Sequence, residues 1–248
     1  MKDLFSEDSS NYAKFRPGYP DALFDYLLPL VENKQTAHDC GTGNGQVAIN
    51  LAEHFNDVYA TDISEKQLAE AEQKINVHYS VQAAESTTFE SNQFDLITVA
   101  QAVHWFNFDQ FYKEVNRTLK PGGIIALIGY GLIETAGELN DVINHFYKNI
   151  VGPYWDKERD LVDEHYQTIP FPFDEINSPT FKMEYEWTID QLTGYLGTWS
   201  AVKHYKKTLQ KDPIEEVLKD FQTNWGEDAI RSFTFPIFLR VGRKLIST

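Results

Sequence analysis

The apolar positions of this chain change rhythm twice. Up to residue 34 a single helical period, Leu23 to Leu30, follows a loop holding Arg16, Pro17, Gly18 and Pro20. From residue 35 to 130, short apolar runs alternate with helical spacing. Gln35 to Cys40, Val58 to Thr61, Val77 to Val81, Phe94 to Ala100 and Ile124 to Tyr130 are the expected strands. Between them, Val47, Leu51 and Phe55 form one helix face, and Leu68, Ala71 and Ile75 a second. The third face is Phe108, Phe111, Tyr112, Val115 and Leu119, with Asn107 as its cap and Lys120-Pro121-Gly122-Gly123 as its stop. Ser64 and Gln67 read as a capping box for the second helix. Ile124 to Tyr130 is apolar almost throughout, the pattern of a strand buried on both faces.

Five strands alternating with helices predict a parallel α/β sheet with right-handed crossovers, a Rossmann-like core. Beyond Tyr130 the alternation is lost. Leu139 to Ile150 is helical, and the segment bearing Tyr154, Trp155, Phe171 and Phe173 fits no strand. Phe181 to Thr188 alternates as a strand, Asp190 to Tyr205 and Asp212 to Trp225 read as helices, and Phe233 to Val241 is a last strand. The expected organisation is therefore a lead-in lid (1–34), the Rossmann-like core (35–130), a mainly helical cap inserted at 131–225 with a sheet strand near 181–188, and a C-terminal strand (226–248) completing the sheet.

Composition narrows the chemistry. The 248 residues are 42% hydrophobic and 24% charged, which predicts a folded chain, and no apolar run approaches the ~20 residues of a membrane span. No secretory h-region occurs near the start, so a soluble, cytoplasmic protein is expected. A single cysteine, Cys40, allows no intrachain disulfide, and no Cys/His spacing suits a metal. Thirty-seven acidic against 22 basic residues give a net charge of −15, which repels nucleic acid and anionic lipid and favours a small-molecule partner. The run Lys203, His204, Lys206, Lys207 and Lys211 reads as a solvated helix face, with a substrate funnel as the other reading.

Asp39-Cys40-Gly41-Thr42-Gly43-Asn44-Gly45 lies where a doubly wound sheet opens its ligand crevice, between the first strand and the first helix. Its glycines permit a tight turn and close backbone approach. A dinucleotide fingerprint wants a third glycine at the position occupied by Gln46, and a carboxylate at Asp39 would repel a pyrophosphate but attract an ammonium group. Asp62 ends the second strand, where a carboxylate can accept both hydroxyls of a ribose.

With Thr61-Asp62-Ile63-Ser64, Ala84-Glu85, Phe94-Asp95, Ala100-Gln101-Ala102 followed by His104-Trp105, and Arg117 to Gly123 (RTLKPGG), the loop resembles the class I S-adenosylmethionine-dependent methyltransferases. Tyr12 to Pro20 (YAKFRPGYP) and Leu196 to Ser200 (LGTWS) extend the resemblance to a small-molecule subgroup that includes trans-aconitate methyltransferase-like proteins. The resemblance implies a mostly parallel sheet with an antiparallel last strand, S-adenosyl-L-methionine as cofactor, and no metal. It implies that Asp39, Gly41, Thr42 and Gly43 line the methionine moiety, that Asp62 holds the ribose and Ile63 packs on adenine. Ala84 and Glu85 would flank the adenine edge, with Ala100 and Gln101 at the methionine end. His38 departs from the aliphatic residue usual in that strand.

Methyl transfer from a sulfonium disperses charge, so alignment in a dry pocket carries most of the catalysis. Tyr19, Trp105, Tyr130 and Trp199 are candidates to face the sulfonium or the acceptor. His104 would serve as base if the acceptor were an alcohol, and Arg16 would bind an acidic acceptor. His104, Trp105 and Tyr19 are thus the candidate catalytic residues, and Arg16, Tyr130 and Trp199 the candidate acceptor-binding ones. The segment Ala100-Gln101-Ala102-Val103 lacks the Pro-Pro-aromatic pattern of enzymes that methylate planar amino groups. The expected reaction is O-methylation of a small acceptor, including a carboxylate. The alternatives are N- or C-methylation of another metabolite, a non-catalytic S-adenosylmethionine-binding protein, and a nicotinamide oxidoreductase.

Overall fold

Strands β1 (Thr36–Cys40), β2 (Asp57–Asp62), β3 (Val77–Val81), β4 (Phe94–Ala100) and β5 (Leu119–Tyr130) pair in parallel in the order β3-β2-β1-β4-β5. The computed structural model describes residues 18–227 and 229–246, so Arg16 and the rest of segment 1–17 lie outside the described residues. The Ile124 to Tyr130 part of β5 is buried on both faces, as its unbroken apolar sequence requires, and β4 is buried with it, its two polar residues satisfied by partners: Asp95 accepts the Thr36 amide and pairs with Lys120, and Thr98 donates to Asp39. β8 (Arg231–Arg243) pairs antiparallel with β5, and β6 (Asp174–Ile176) and β7 (Phe181–Trp187) pair antiparallel with different stretches of β8. The strand order reverses between β1 and β4, which places the crevice at the carboxyl ends of those two strands.

Helix α1 (Asp21–Leu27) leads in, α2 (Gln46–Leu51) and α3 (Glu65–Ala69) follow β1 and β2, and α4 (Phe108–Thr118) precedes β5. Between β5 and β8 lie α5 (Glu138–His145), which runs on into a π-helical turn over Phe146–Ile150, then α6 (Arg159–Asp163), α7 (Ile189–Gly197), α8 (Ser200–Leu209) and α9 (Pro213–Trp225). Leu139, Ile143, Leu192, Leu196, Val217 and Phe221 supply their buried faces.

Four local expectations are corrected. The helix expected from Asp190 to Tyr205 is two helices: Thr198 turns its hydroxyl back to the carbonyl of Tyr195, and Trp199 is extended (φ −67°, ψ 139°) as the N-cap of α8. The segment read as containing no strand ends in β6, a three-residue strand held by backbone pairing to β8 and by the two hydrogen bonds that Glu175 accepts from Arg240. Ile75 is fully exposed because α3 stops at Ala69, six residues before it. The capping box at Ser64 forms only its first half, Ser64 Oγ accepting from the Gln67 amide, because the Ser64 amide donates to Asp62 instead. The complete box occurs at Thr188 and Gln191 of α7.

His38 is accommodated within the sheet. Its ring stacks on Phe94 with centroids 5.0 Å apart, and Nε2 lies 2.9 Å from Thr61 Oγ1. Burial holds it neutral, its pKa lowered to about 3.

Candidate active site

The glycine loop is fixed by the ends of β1 and β2. The amides of Gly41 and Thr42 both donate to the carbonyl of Thr61, at 2.8 and 2.9 Å. Gly41 and Gly43 take left-handed backbone conformations (φ 69° and 57°), and a Cβ on Gly41 would stand 2.7 Å from that of Ala102. The loop therefore lies directly against the segment that leaves β4. The three glycines leave backbone bare along this cradle, which fits the close approach of a cofactor of S-adenosylmethionine's kind.

Asp62 closes the cradle on the β2 side. Its Oδ2 accepts the Gly43 amide and its Oδ1 the Ser64 amide, each at 2.9 Å. Asp39 lies beneath the loop, 1% exposed, and accepts hydroxyl hydrogen bonds from Thr42 and Thr98. Burial raises its pKa to about 6 against the opposing pull of those bonds, with Asp62 adding a smaller push in the same direction. Asp39 thus shapes the loop and supplies negative charge from below, and its oxygens are engaged within the protein. Ile63 is half-buried beyond Asp62; Ala84 is buried, and Glu85 accepts the Asn107 amide at 3.0 Å.

Ala100 ends β4, and Gln101 leaves it in the left-handed region (φ 53°), a conformation uncommon for a side-chain-bearing residue and frequent at functional sites. Its amide donates to the Ile128 carbonyl, and its side-chain Nε2 to the Tyr130 carbonyl at 3.0 Å. Gln101 also lines a cleft whose other walls include Trp105, Trp155, Trp199 and Ser200. The structure thus brings Gln101, His104, Trp105 and Trp199 together.

His104 is buried in a short 3-10 turn (Val103–Trp105), its Nδ1 2.9 Å from the hydroxyl of the fully buried Tyr166. Trp199 is buried among the rings of Phe146, Tyr147, Trp155 and Tyr195. Tyr130 is instead packed in the core, edge-on to Phe235, and Tyr19 is half-buried against that core. Sequence reasoning gave no site role to Leu132, Trp155, Asp156, Arg159 or Tyr195, which also line the cleft. In the basic run, Lys206 pairs with Asp212 at 2.6 Å, and His204 Nδ1 lies 3.0 Å from the Tyr154 carbonyl.

A doubly wound sheet with an antiparallel strand beyond β5, a glycine cradle after β1 and an acid at the end of β2 defines a class I S-adenosylmethionine-dependent methyltransferase. Residues 38–127 match the family model described as a methyltransferase domain. Over 250 aligned residues the chain is 32% identical to a methyltransferase described from Dictyostelium discoideum, covering 98% of this chain and 95% of that one. An uncharacterised methyltransferase of Mycobacterium tuberculosis is 30% identical over 76% of this chain and 71% of its own. Among solved structures, one described as a type II methyltransferase from Anaeromyxobacter dehalogenans superposes with a TM-score of 0.87 at 38% identity, covering 94% of this chain and all of that one. The chain belongs to the methyltransferase family, and S-adenosylmethionine is its cofactor. Among the described residues no helix is long and apolar enough to cross a membrane.

Proposed function

We propose that this methyltransferase acts on the oxygen of a small, partly apolar acceptor, bound in the cleft between Gln101 and the tryptophans of a cap formed by residues 131–225. The observation that carries the reading is the double position of Gln101, which sits beside the glycine cradle through Ala102 and lines the aromatic cleft. A group held in the cradle and one held in the cleft would meet there.

On this reading Gly41, Thr42 and Gly43, with the charge of Asp39 beneath them, hold the methionine moiety. Asp62 takes the ribose, Ile63, Ala84 and Glu85 surround the adenine, and Ala100 and Gln101 border the methionine end. When bound, S-adenosylmethionine supplies an electrophilic methyl group on a sulfonium. The work left to the protein is to align the acceptor oxygen and keep water out, for which Trp105 and Trp199 provide the walls. Their ring faces also attract positive charge. Tyr19 belongs to a lead-in lid, and Tyr130 supports Gln101 through its carbonyl. A carboxylate acceptor is already ionised at neutral pH and needs no base, so His104, held by Tyr166, forms the floor of the cleft.

The test is release of S-adenosylhomocysteine from S-adenosylmethionine with small carboxylic acids, phenols and amines offered beside RNA and protein. Turnover of small acids supports the proposal. Methylation of RNA or protein in preference to every small molecule offered would overturn it.

A further inference from the structure

Two charged side chains in the cleft are left with hydrogen-bonding capacity that the fold does not use. Arg159, in α6, is one of them. Its Nε donates to the Tyr147 hydroxyl at 2.8 Å and to Asp163 Oδ1 at 3.1 Å, and Tyr147 itself donates to Asp163. The guanidinium lies 5.0 Å from the Trp155 ring centroid and 5.3 Å from that of Tyr147. One edge and both flanks of the fork are thus fixed, while its two terminal nitrogens make no hydrogen bond with the described residues. The side chain is only 20% exposed, so a planar cation has been immobilised in a largely dry place.

Asp156 is the second. Its side chain is 15% exposed, and neither oxygen accepts a hydrogen bond among the described residues. Its Oδ2 is buried 3.7 Å from His204 Nδ1, an atom that lies closer to the carbonyl of Tyr154. A buried acceptor without a partner is costly, the more so when it is charged, so a ligand that supplies the missing donor gains affinity. Both residues line the cleft that reaches Gln101.

We infer that Arg159 and Asp156 together select the acceptor: a small carboxylic acid that also carries a hydroxyl or an ammonium group. The guanidinium's terminal nitrogens match the two oxygens of a carboxylate, which a fork held from behind can bind with little further ordering. The oxygens of Asp156 would accept from the hydroxyl or ammonium. An acid without such a donor would leave Asp156 unsatisfied, and an amide or ester would offer Arg159 one neutral carbonyl oxygen in place of the two charged oxygens of a carboxylate. This inference rests on the cleft being the acceptor site.

The experiment is calorimetric binding to protein saturated with S-adenosylhomocysteine. The probes are aliphatic and aromatic 2-hydroxy acids, the matching 2-amino acids, their primary amides, and the parent acids lacking the hydroxyl or amine. The best hydroxy or amino acid is expected to bind at least tenfold more tightly than its amide and its unsubstituted parent. Arg159→Gln should abolish the first preference and Asp156→Asn the second, with S-adenosylhomocysteine affinity unchanged. Arg159→Lys, which keeps the charge without the fork, should retain a reduced preference and covers the case in which Arg159→Gln does not fold. Failure of S-adenosylhomocysteine itself to bind would count against the cofactor site. Acids binding no better than their amides to loaded protein would overturn this inference alone, as would a preference that survives Arg159→Gln.

Discussion

The amide of Gly43 donates to Oδ2 of Asp62 at 2.9 Å, so the carboxylate that is proposed to read the ribose also pins the middle of the glycine loop. This side chain adds to the backbone bonds that Gly41 and Thr42 make to Thr61, and so couples the far side of the loop to β2. Asp62→Ala should therefore weaken S-adenosylmethionine binding by more than one charge-assisted hydrogen bond, itself worth about 1.5–3 kcal/mol. Asp62→Asn, which still offers the loop an acceptor oxygen, should lose less. Calorimetry on the two variants checks the order; equal losses would mean that Asp62 acts only through its charge.

Asp39 sets stability against function. Its pKa is raised from the ordinary carboxylate range to about 6, so the folded protein binds the extra proton between about pH 4 and pH 6. The contribution of this group to stability accordingly falls as pH rises through that window and stays low at pH 7. Asp39→Asn should raise the stability of the cofactor-free protein at pH 7, by up to about 2–3 kcal/mol, and weaken S-adenosylmethionine binding. Denaturation and calorimetry on the same preparation test both halves. Loss of stability in the variant would show that the bonds from Thr42 and Thr98 outweigh the cost of burying the charge.

The neighbouring residue has the opposite slope. His38 is neutral when folded, its pKa lowered to about 3, so its contribution to stability is complete above pH 6.5 and is lost as pH falls towards 3. Between pH 7 and 5 that loss is about 2 kcal/mol. His38→Leu removes the bond to Thr61 and should be less stable at pH 7, yet lose less stability on acidification than the parent protein. Parallel pH profiles for the two proteins would contradict the assignment.

How legible these features were depends on what holds each in place. Most of β4 and the Ile124 to Tyr130 part of β5 could be read from their apolar runs, but the start of β5 could not: Leu119 to Gly123, read as the end and stop of the preceding helix, already belongs to the strand. β6 could not: Asp-Glu-Ile has no pattern, and only its pairing to β8 makes it a strand. The break between α7 and α8 carries no proline and arises from the Thr198 hydroxyl and the burial of Trp199. The glycine loop and Asp62 were legible because their chemistry is concentrated in a few adjacent positions. Arg159 was not, because in sequence it is one charge within Asp-Lys-Glu-Arg-Asp, and it becomes distinctive only when Tyr147 and Trp155, from separate turns, close around it.

His104 offers a test of the acceptor's chemistry. With Nδ1 held by Tyr166 and no base required for an ionised oxygen, His104→Gln should keep appreciable kcat on a carboxylate acceptor. A near-total loss of kcat with cofactor affinity intact would assign His104 as a general base and move the acceptor to an alcohol or phenol.

The central claim is that donor and acceptor occupy adjoining sites that meet at Gln101, and two-substrate steady-state kinetics of Asp62→Ala and Trp105→Leu tests it most directly. The account predicts that Asp62→Ala raises KM for S-adenosylmethionine at least tenfold with little change for the acceptor, and that Trp105→Leu raises the acceptor KM and lowers kcat with the donor KM near its original value. Both variants shifting the same substrate's KM, or Trp105→Leu leaving the acceptor parameters untouched, would contradict it.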